Sequence, residues 1–175
     1  MLFRSWSKED TLFAETFKNP RAIPAVLSFH SVPSSSVDYI NTVSTFFALK
    51  DGMNGFPSVL HGGIVSTLID EAMGVLLSVN AEVEQARKVA TGQDTGEAVE
   101  GVGAFTAQLN IKFVDKVVTP GVVLVKAEVT RREGRKIWMR ASVARKNGLQ
   151  EDLEGTLVEC AVGEALFVKP RNEKL

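Results

Sequence analysis

From Gly63 to about Asn80 the apolar residues Val65, Leu68, Ile69, Ala72, Val75, Leu76 and Val79 recur at the i, i+3, i+4, i+7 spacing of a helix with one buried side. Most of the other patterned segments have the period of a strand instead. After residue 103, Phe105, Ala107, Leu109, Ile111 and Phe113 alternate with Thr106, Gln108, Asn110 and Lys112, which predicts a strand with the first set on one face and the second on the other. Val123, Val125, Ala127 and Val129 alternate with Lys126, Glu128 and Thr130. A turn at Glu133-Gly134 follows, then the apolar face Ile137, Met139, Ala141 and Val143, and a last strand over 157–167. One long apolar stripe among strands must be buried on a sheet. The expected fold is α+β, an antiparallel sheet wrapped around a long central helix.

Upstream of the helix the reading is similar. Residues 22–30 form a strand at a sheet edge or strand start because of Pro24, and 43–50 form a second. Turns are expected at Pro33 with Ser34–Ser36, and over Asp51, Gly52, Asn54 and Gly55. Residues 8–17 set Leu12, Phe13, Ala14 and Phe17 near one side of a short helix that Asn19-Pro20 stops, an N-terminal helical extension. The polar, glycine-dotted stretch 81–103 reads as a loop or a frayed end of the long helix.

A chain of 175 residues with 45% hydrophobic content suits a single domain over 1–175 with a core that needs no disulfide. The net charge of −1 provides no general attraction to nucleic acid or an anionic surface. Cys160 is the one cysteine, which excludes an internal disulfide and a zinc knuckle, so no metal or cofactor is expected and a reducing compartment fits. Asp70 and Glu71 interrupt the longest apolar region, and no membrane span is expected. The first ten residues are too acidic for a transit peptide, which favours the cytoplasm and leaves the mitochondrion as the alternative.

The run HGGIVSTLID carries the chemistry. His61, Gly62 and Gly63 open the helix, where unpaired backbone N–H groups can polarise a carbonyl, and Asp70 lies two turns further along. Opposite Ala72 on the helix stand Gly63, Ser66, Thr67, Asp70, Gly74 and Leu77, a side without the usual Lys, Glu or Arg, which implies close approach by a ligand or a second subunit. Gly62 and Asp70 are eight residues apart, ~12 Å along the axis, too far to act on one carbonyl. Two copies packed antiparallel about a two-fold axis remove the difficulty by setting Gly62 of one against Asp70 of the other, so an obligate dimer is expected. Glu71 is the fallback carboxylate, and His30, at a strand end with no nucleophile motif nearby, is structural.

HGGIVSTLIDEAMG resembles the signature of hotdog-fold acyl-CoA thioesterases of the 4-hydroxybenzoyl-CoA and phenylacetate-pathway type. TAQLNIKFVDKVVTPG, EVTRREGRKIWMRASV and GEALFVKP are similar to the carboxy-terminal modulator protein-like branch. The resemblance runs from about residue 40 to 170, with 1–40 as an extension. It implies hydrolysis of an acyl-CoA by a homodimer or a dimer of dimers. In it Gly62 is the oxyanion donor, Asp70 the general base or nucleophile, Thr106 a hydroxyl that helps position water, and His61 a support for the loop. Gly63 would join the substrate site. Some relatives place Asn or Gln six residues before the histidine, where this chain has Gly55, with Asn54 one residue earlier. The hairpin of Arg131, Arg132, Gly134, Arg135 and Lys136 is the candidate contact for the CoA phosphates. Two other readings keep the fold: a non-catalytic domain that binds acyl-CoA or a protein, and a hydratase or dehydratase.

Overall fold

The computed structural model describes residues 11–31, 39–92, 103–147 and 156–171, so the expected turn at Pro33–Ser36 and the start of the N-terminal helix lie outside the described residues. The described elements in chain order are a π-helical turn at Leu12–Thr16, β1 (Ala25–Phe29), β2 (Thr42–Leu49), a 3-10 turn at Asp51–Met53, β3 (Asn54–Phe56), β4 (Val59–Leu60), α1 (Gly62–Ala90), β5 (Phe105–Phe113), β6 (Gly121–Glu133), β7 (Lys136–Lys146) and β8 (Leu157–Val168). The main sheet is antiparallel with six strands in the order β1-β2-β6-β7-β8-β5. The small β3–β4 pair leads directly into α1, where a simple turn was expected.

Every residue of the expected helical stripe is buried, as are the alternating faces of β2, β6 and β7 that meet it. The helix is longer than its stripe. Residues 81–90 continue it because they are mostly strong helix formers and Glu84 pairs with Lys88 one turn on, at 3.4 Å. It stops at Thr91, with Gly92 beyond it at φ +71°, a conformation that favours glycine. By length and composition α1 could cross a membrane, yet half of its most apolar window is buried in the protein, where those side chains form the core. Leu77 is 5% exposed and belongs to that core, so the helix side opposite Ala72 is narrower than its sequence suggests. Leu12 departs in the other sense: it is exposed, while Phe13 packs against Phe47 with ring centres 6.1 Å apart.

Two contacts fix how α1 lies on the sheet. Near its start Ile69 rests on the bare backbone of Gly163 in β8, where an added Cβ would stand 2.6 Å from Ile69 Cγ2 and 2.9 Å from Ile111 Cδ1. Further along, buried Asn80 accepts from the Ile40 N–H at 2.8 Å and donates to the carbonyls of Ile40 and Leu76 at 2.8 and 2.9 Å. The amide thus satisfies both backbone groups of a residue just ahead of β2. Replacing it by Leu strands them. Asn80→Leu and Gly163→Ala are each expected to cost about 1–3 kcal/mol, from orphaned polar groups and from overpacking respectively. For a chain of this size each kcal/mol lowers Tm by about 2–4 °C, read by thermal denaturation.

Candidate active site

The helix begins with a cap. His61 sits just before α1 in extended backbone, and its Nδ1 accepts from the Gly63 N–H at 2.9 Å. That bond occupies Gly63 and leaves the Gly62 N–H without a partner among the described residues, at the positive end of the helix dipole. His61 is held in turn by its own N–H to the Met53 carbonyl at 3.0 Å, and by Gly55, which is close enough that an added Cβ would meet the imidazole at 3.0 Å. Asn54 pairs with Leu60 across β3–β4, and its Oδ1 accepts from the Thr119 hydroxyl.

Asp70 is half-buried, and its Oδ1 accepts from the Thr106 hydroxyl at 2.8 Å. Simple alternation put Thr106 on the sheet face away from Leu109 and Ile111. The structure corrects this. A β-bulge between Thr106 and Gln108 adds one residue to β5, so that Thr106 pairs with inward-facing Phe167 while Leu109 pairs with inward-facing Ala165. The bulge turns Thr106 toward the helix and moves Phe105 outward, where it is 63% exposed. On the helix itself, the Ser66 and Thr67 hydroxyls donate back to the carbonyls of Gly62 and Gly63, at 3.2 and 2.9 Å. Asp70 is therefore the polar group on this side left to face outward, and its Oδ2 has no partner among the described residues.

The two halves of the site are at opposite ends of one edge strand. Gly62 lies against Phe113, whose Cζ would be 3.4 Å from a Cβ at that glycine, whereas Asp70 is bonded to Thr106. At the Thr106 end, the β6–β7 hairpin turns through Gly134 at φ +55°. Lys136 is in register with Val168 and, through it, with Phe105, two strand spacings or ~10 Å away. Of the hairpin cations, Arg135 Nη1 donates to the Lys169 carbonyl at 2.9 Å, Arg131 pairs with Glu133 and stacks on Trp138, and Arg132 covers Tyr39. A cleft of about 530 Å³ between β1 and the second half of α1, lined in part by His30, Val79 and Val83, contains none of these site residues.

The contacts of Thr119 with Asn54 and of Gly55 with His61 escaped the sequence reading, because only the folded register of β3–β4 shows them.

The sheet around one helix is the hotdog arrangement. It is shared with zebra fish thioesterase superfamily member 2, at TM-score 0.54 and 14% identity over 83% of this chain and 81% of that one. It is also shared with a hypothetical thioesterase from Streptococcus pneumoniae determined with coenzyme A, at TM-score 0.56 and 13% identity over 85% and 90%. The family described as the thioesterase superfamily matches residues 58–151, and the chain belongs to it. Among individual proteins, it is 31% identical over 132 residues to verlamelin biosynthesis protein B of a Lecanicillium species, and 32% identical over 122 residues to acyl-coenzyme A thioesterase THEM4 of Bos taurus. These matches cover 67% and 70% of this chain, which spans 57% and 38% of the length of those two relatives.

Cys160 belongs to the core and not to this chemistry. Burial raises its thiol above the ordinary range, so it stays protonated at neutral pH. Native protein is expected to leave Ellman's reagent unreacted over minutes and to release one equivalent in denaturant, a titration that also clears this dye for following CoA release.

Proposed function

We propose that the chain hydrolyses acyl-CoA thioesters at a site shared by two copies. The observation that carries this reading is the position of Gly62 and Asp70 at opposite ends of the edge strand β5. Of the two sheet edges, β1 is short and follows Pro24, whereas β5 has nine residues with Phe113 55% exposed, the kind of edge that invites another strand. Antiparallel pairing of β5 with its own copy, about a two-fold axis near Leu109 and Asn110, sets Phe113 of one chain opposite Thr106 of the other. Gly62 then comes beside the second copy's Asp70. Such pairing supplies the shared site that the ~12 Å separation demands.

In this arrangement the thioester carbonyl oxygen rests on the Gly62 N–H, strengthened by the helix dipole, and Asp70 of the second copy is the base or the nucleophile. As base, it takes a proton from water held beside Thr106. The water oxygen bonds to the carbonyl carbon, the C–S bond breaks, and CoA leaves as the thiolate, to be protonated. Arg135 and Lys136, at the tip formed by Gly134, are positioned to meet the phosphates of the CoA arm. His61 supports the donor by capping the helix, and Asn54 lies beside it.

Asp70→Asn is expected to lower kcat by ~10² to 10⁴-fold on medium- and long-chain acyl-CoAs, followed as CoA release. Wild-type protein that releases no CoA above background from a panel of chain lengths would sink the thioesterase reading. The shared site has its own test in Gly62→Pro, which deletes one N–H at a helix position that tolerates proline. Each variant alone should be nearly inactive. Co-refolded in equal amounts, they should recover about a quarter of wild-type activity, since half of randomly paired dimers are hybrids with one intact site of two. No recovery in proven hybrids would place both groups in one chain.

A further inference from the structure

Thr119 is 2% exposed, and its hydroxyl donates to Asn54 Oδ1, 65 residues away in sequence. The threonine cannot follow a rotating amide, because its N–H donates to the Ser58 carbonyl at 3.0 Å, the preceding Val118 bridges to Val59, and the Leu60 N–H is bonded to the Val117 carbonyl at 2.9 Å. Residues 117–119 are thus a fixed third rail beside β3–β4. An asparagine amide has one accepting end and one donating end, and Asn54 Oδ1 is the acceptor that the buried Thr119 hydroxyl has among the described residues, so a flipped amide would leave that O–H without one. With Oδ1 engaged, the end left over is the NH2 group, which has no partner among the described residues. Asn54 is paired with Leu60, only two residues before Gly62, and Gly55 is the unpaired extra residue between Asn54 and Phe56. The amide therefore belongs to the same corner as the free Gly62 N–H.

We propose that Thr119 is a positioning residue: it fixes the sense of the Asn54 amide so that NH2, and not the oxygen, faces the carbonyl polarised by Gly62. The inference rests on the thioester reading above. The sense of the amide matters because the carbonyl oxygen gains negative charge in the transition state. A flipped amide would set its own lone pairs against that charge, and the correct one adds a donor to the one at Gly62. The hydroxyl itself never touches substrate.

Thr119→Val keeps the shape and removes the hydroxyl, and Thr119→Ser keeps the hydroxyl. The expected result is a kcat lower by about 10- to 100-fold for Thr119→Val with KM within about threefold, and most of the rate restored in Thr119→Ser. Introduced into Asn54→Ala, Thr119→Val should cost nothing further, since the group it orients is gone. A wild-type kcat in Thr119→Val, or losses that multiply with Asn54→Ala, would overturn the proposal while leaving hydrolysis intact. A second readout is independent of turnover and of how the variant folds: the Asn54 side-chain NH2 resonances of wild-type protein with a non-hydrolysable 2-oxoalkyl-CoA, a thioether whose ketone carbonyl stands in for that of the thioester. They should shift on binding in the wild type and in Thr119→Ser. If the wild type shows the shift but no hydrolysis, the thioesterase reading fails and the orientation of Asn54 stands; absence of the shift overturns the orientation.

Discussion

The contact between Ile69 and the bare backbone of Gly163 governs the site, because it sets how closely α1 approaches the β8–β5 side of the sheet. With any side chain at 163 the helix would have to lift, and the residue after Ile69 is Asp70. The 2.8 Å bond from Thr106 to Asp70 exists only at that separation. The bonds of Asn80 to Ile40 hold the helix a second time, three turns further on, and two fixed points leave it no freedom to pivot. The position of the carboxylate is thus determined by packing that takes no part in chemistry.

A second constraint comes from the β5 bulge. Regular alternation would have pointed Thr106 away from the helix and packed Phe105 against it. One extra residue reverses that choice locally and leaves Leu109, Ile111 and Phe113 facing inward. The strand nearest Asp70 therefore presents a hydroxyl to the helix at one end and an aromatic ring to its first glycines at the other. Bulges recur where a strand must re-aim one side chain without losing its pairing, and here the re-aimed side chain is the one that meets the acid.

The fold was largely legible because helix and strand periods are properties of short windows, and every apolar position from Val65 to Val79 in the stripe was assigned from spacing alone. What escaped was everything set by register. Leu77 lies opposite the apolar stripe on an ideal wheel drawn from Ala72, yet is buried in the core cluster. The extension of α1 to Ala90 has little apolar stripe to reveal it and depends on propensity and the Glu84–Lys88 pair. In the candidate site, the helix entry at His61 and the acid at Asp70 stood out in the sequence because glycines and one carboxylate are conspicuous in an apolar run. Thr106 was found through resemblance and misplaced by periodicity, since no local rule marks a bulge at Ala107. Thr119 and Asn54 meet across 65 residues, a distance at which no pattern in one sequence gives a signal.

Among the described residues, the groups left without a partner share one flank: the Gly62 N–H, the outward oxygen of Asp70, the open edge of β5, and the small-residue side of α1 around Gly74, where an added Cβ would touch nothing within 4 Å. Each is costly or neutral in isolation, and the proposed pairing of two copies would answer all of them at once. In the proposed dimer, a second copy completing the sheet would give β5 its missing partners and bring the negative carboxylate of one chain to the positive helix end of the other. Close approach needs the small side chains, and the uncharged helix side lets it occur without burying an unpaired Lys or Arg. In that arrangement the N–H and the carboxylate would flank the reacting carbonyl and a water instead of pairing directly with each other. That residual polarity, fixed before substrate arrives, is what an acyl thioester would meet, and it makes assembly and chemistry depend on the same few atoms.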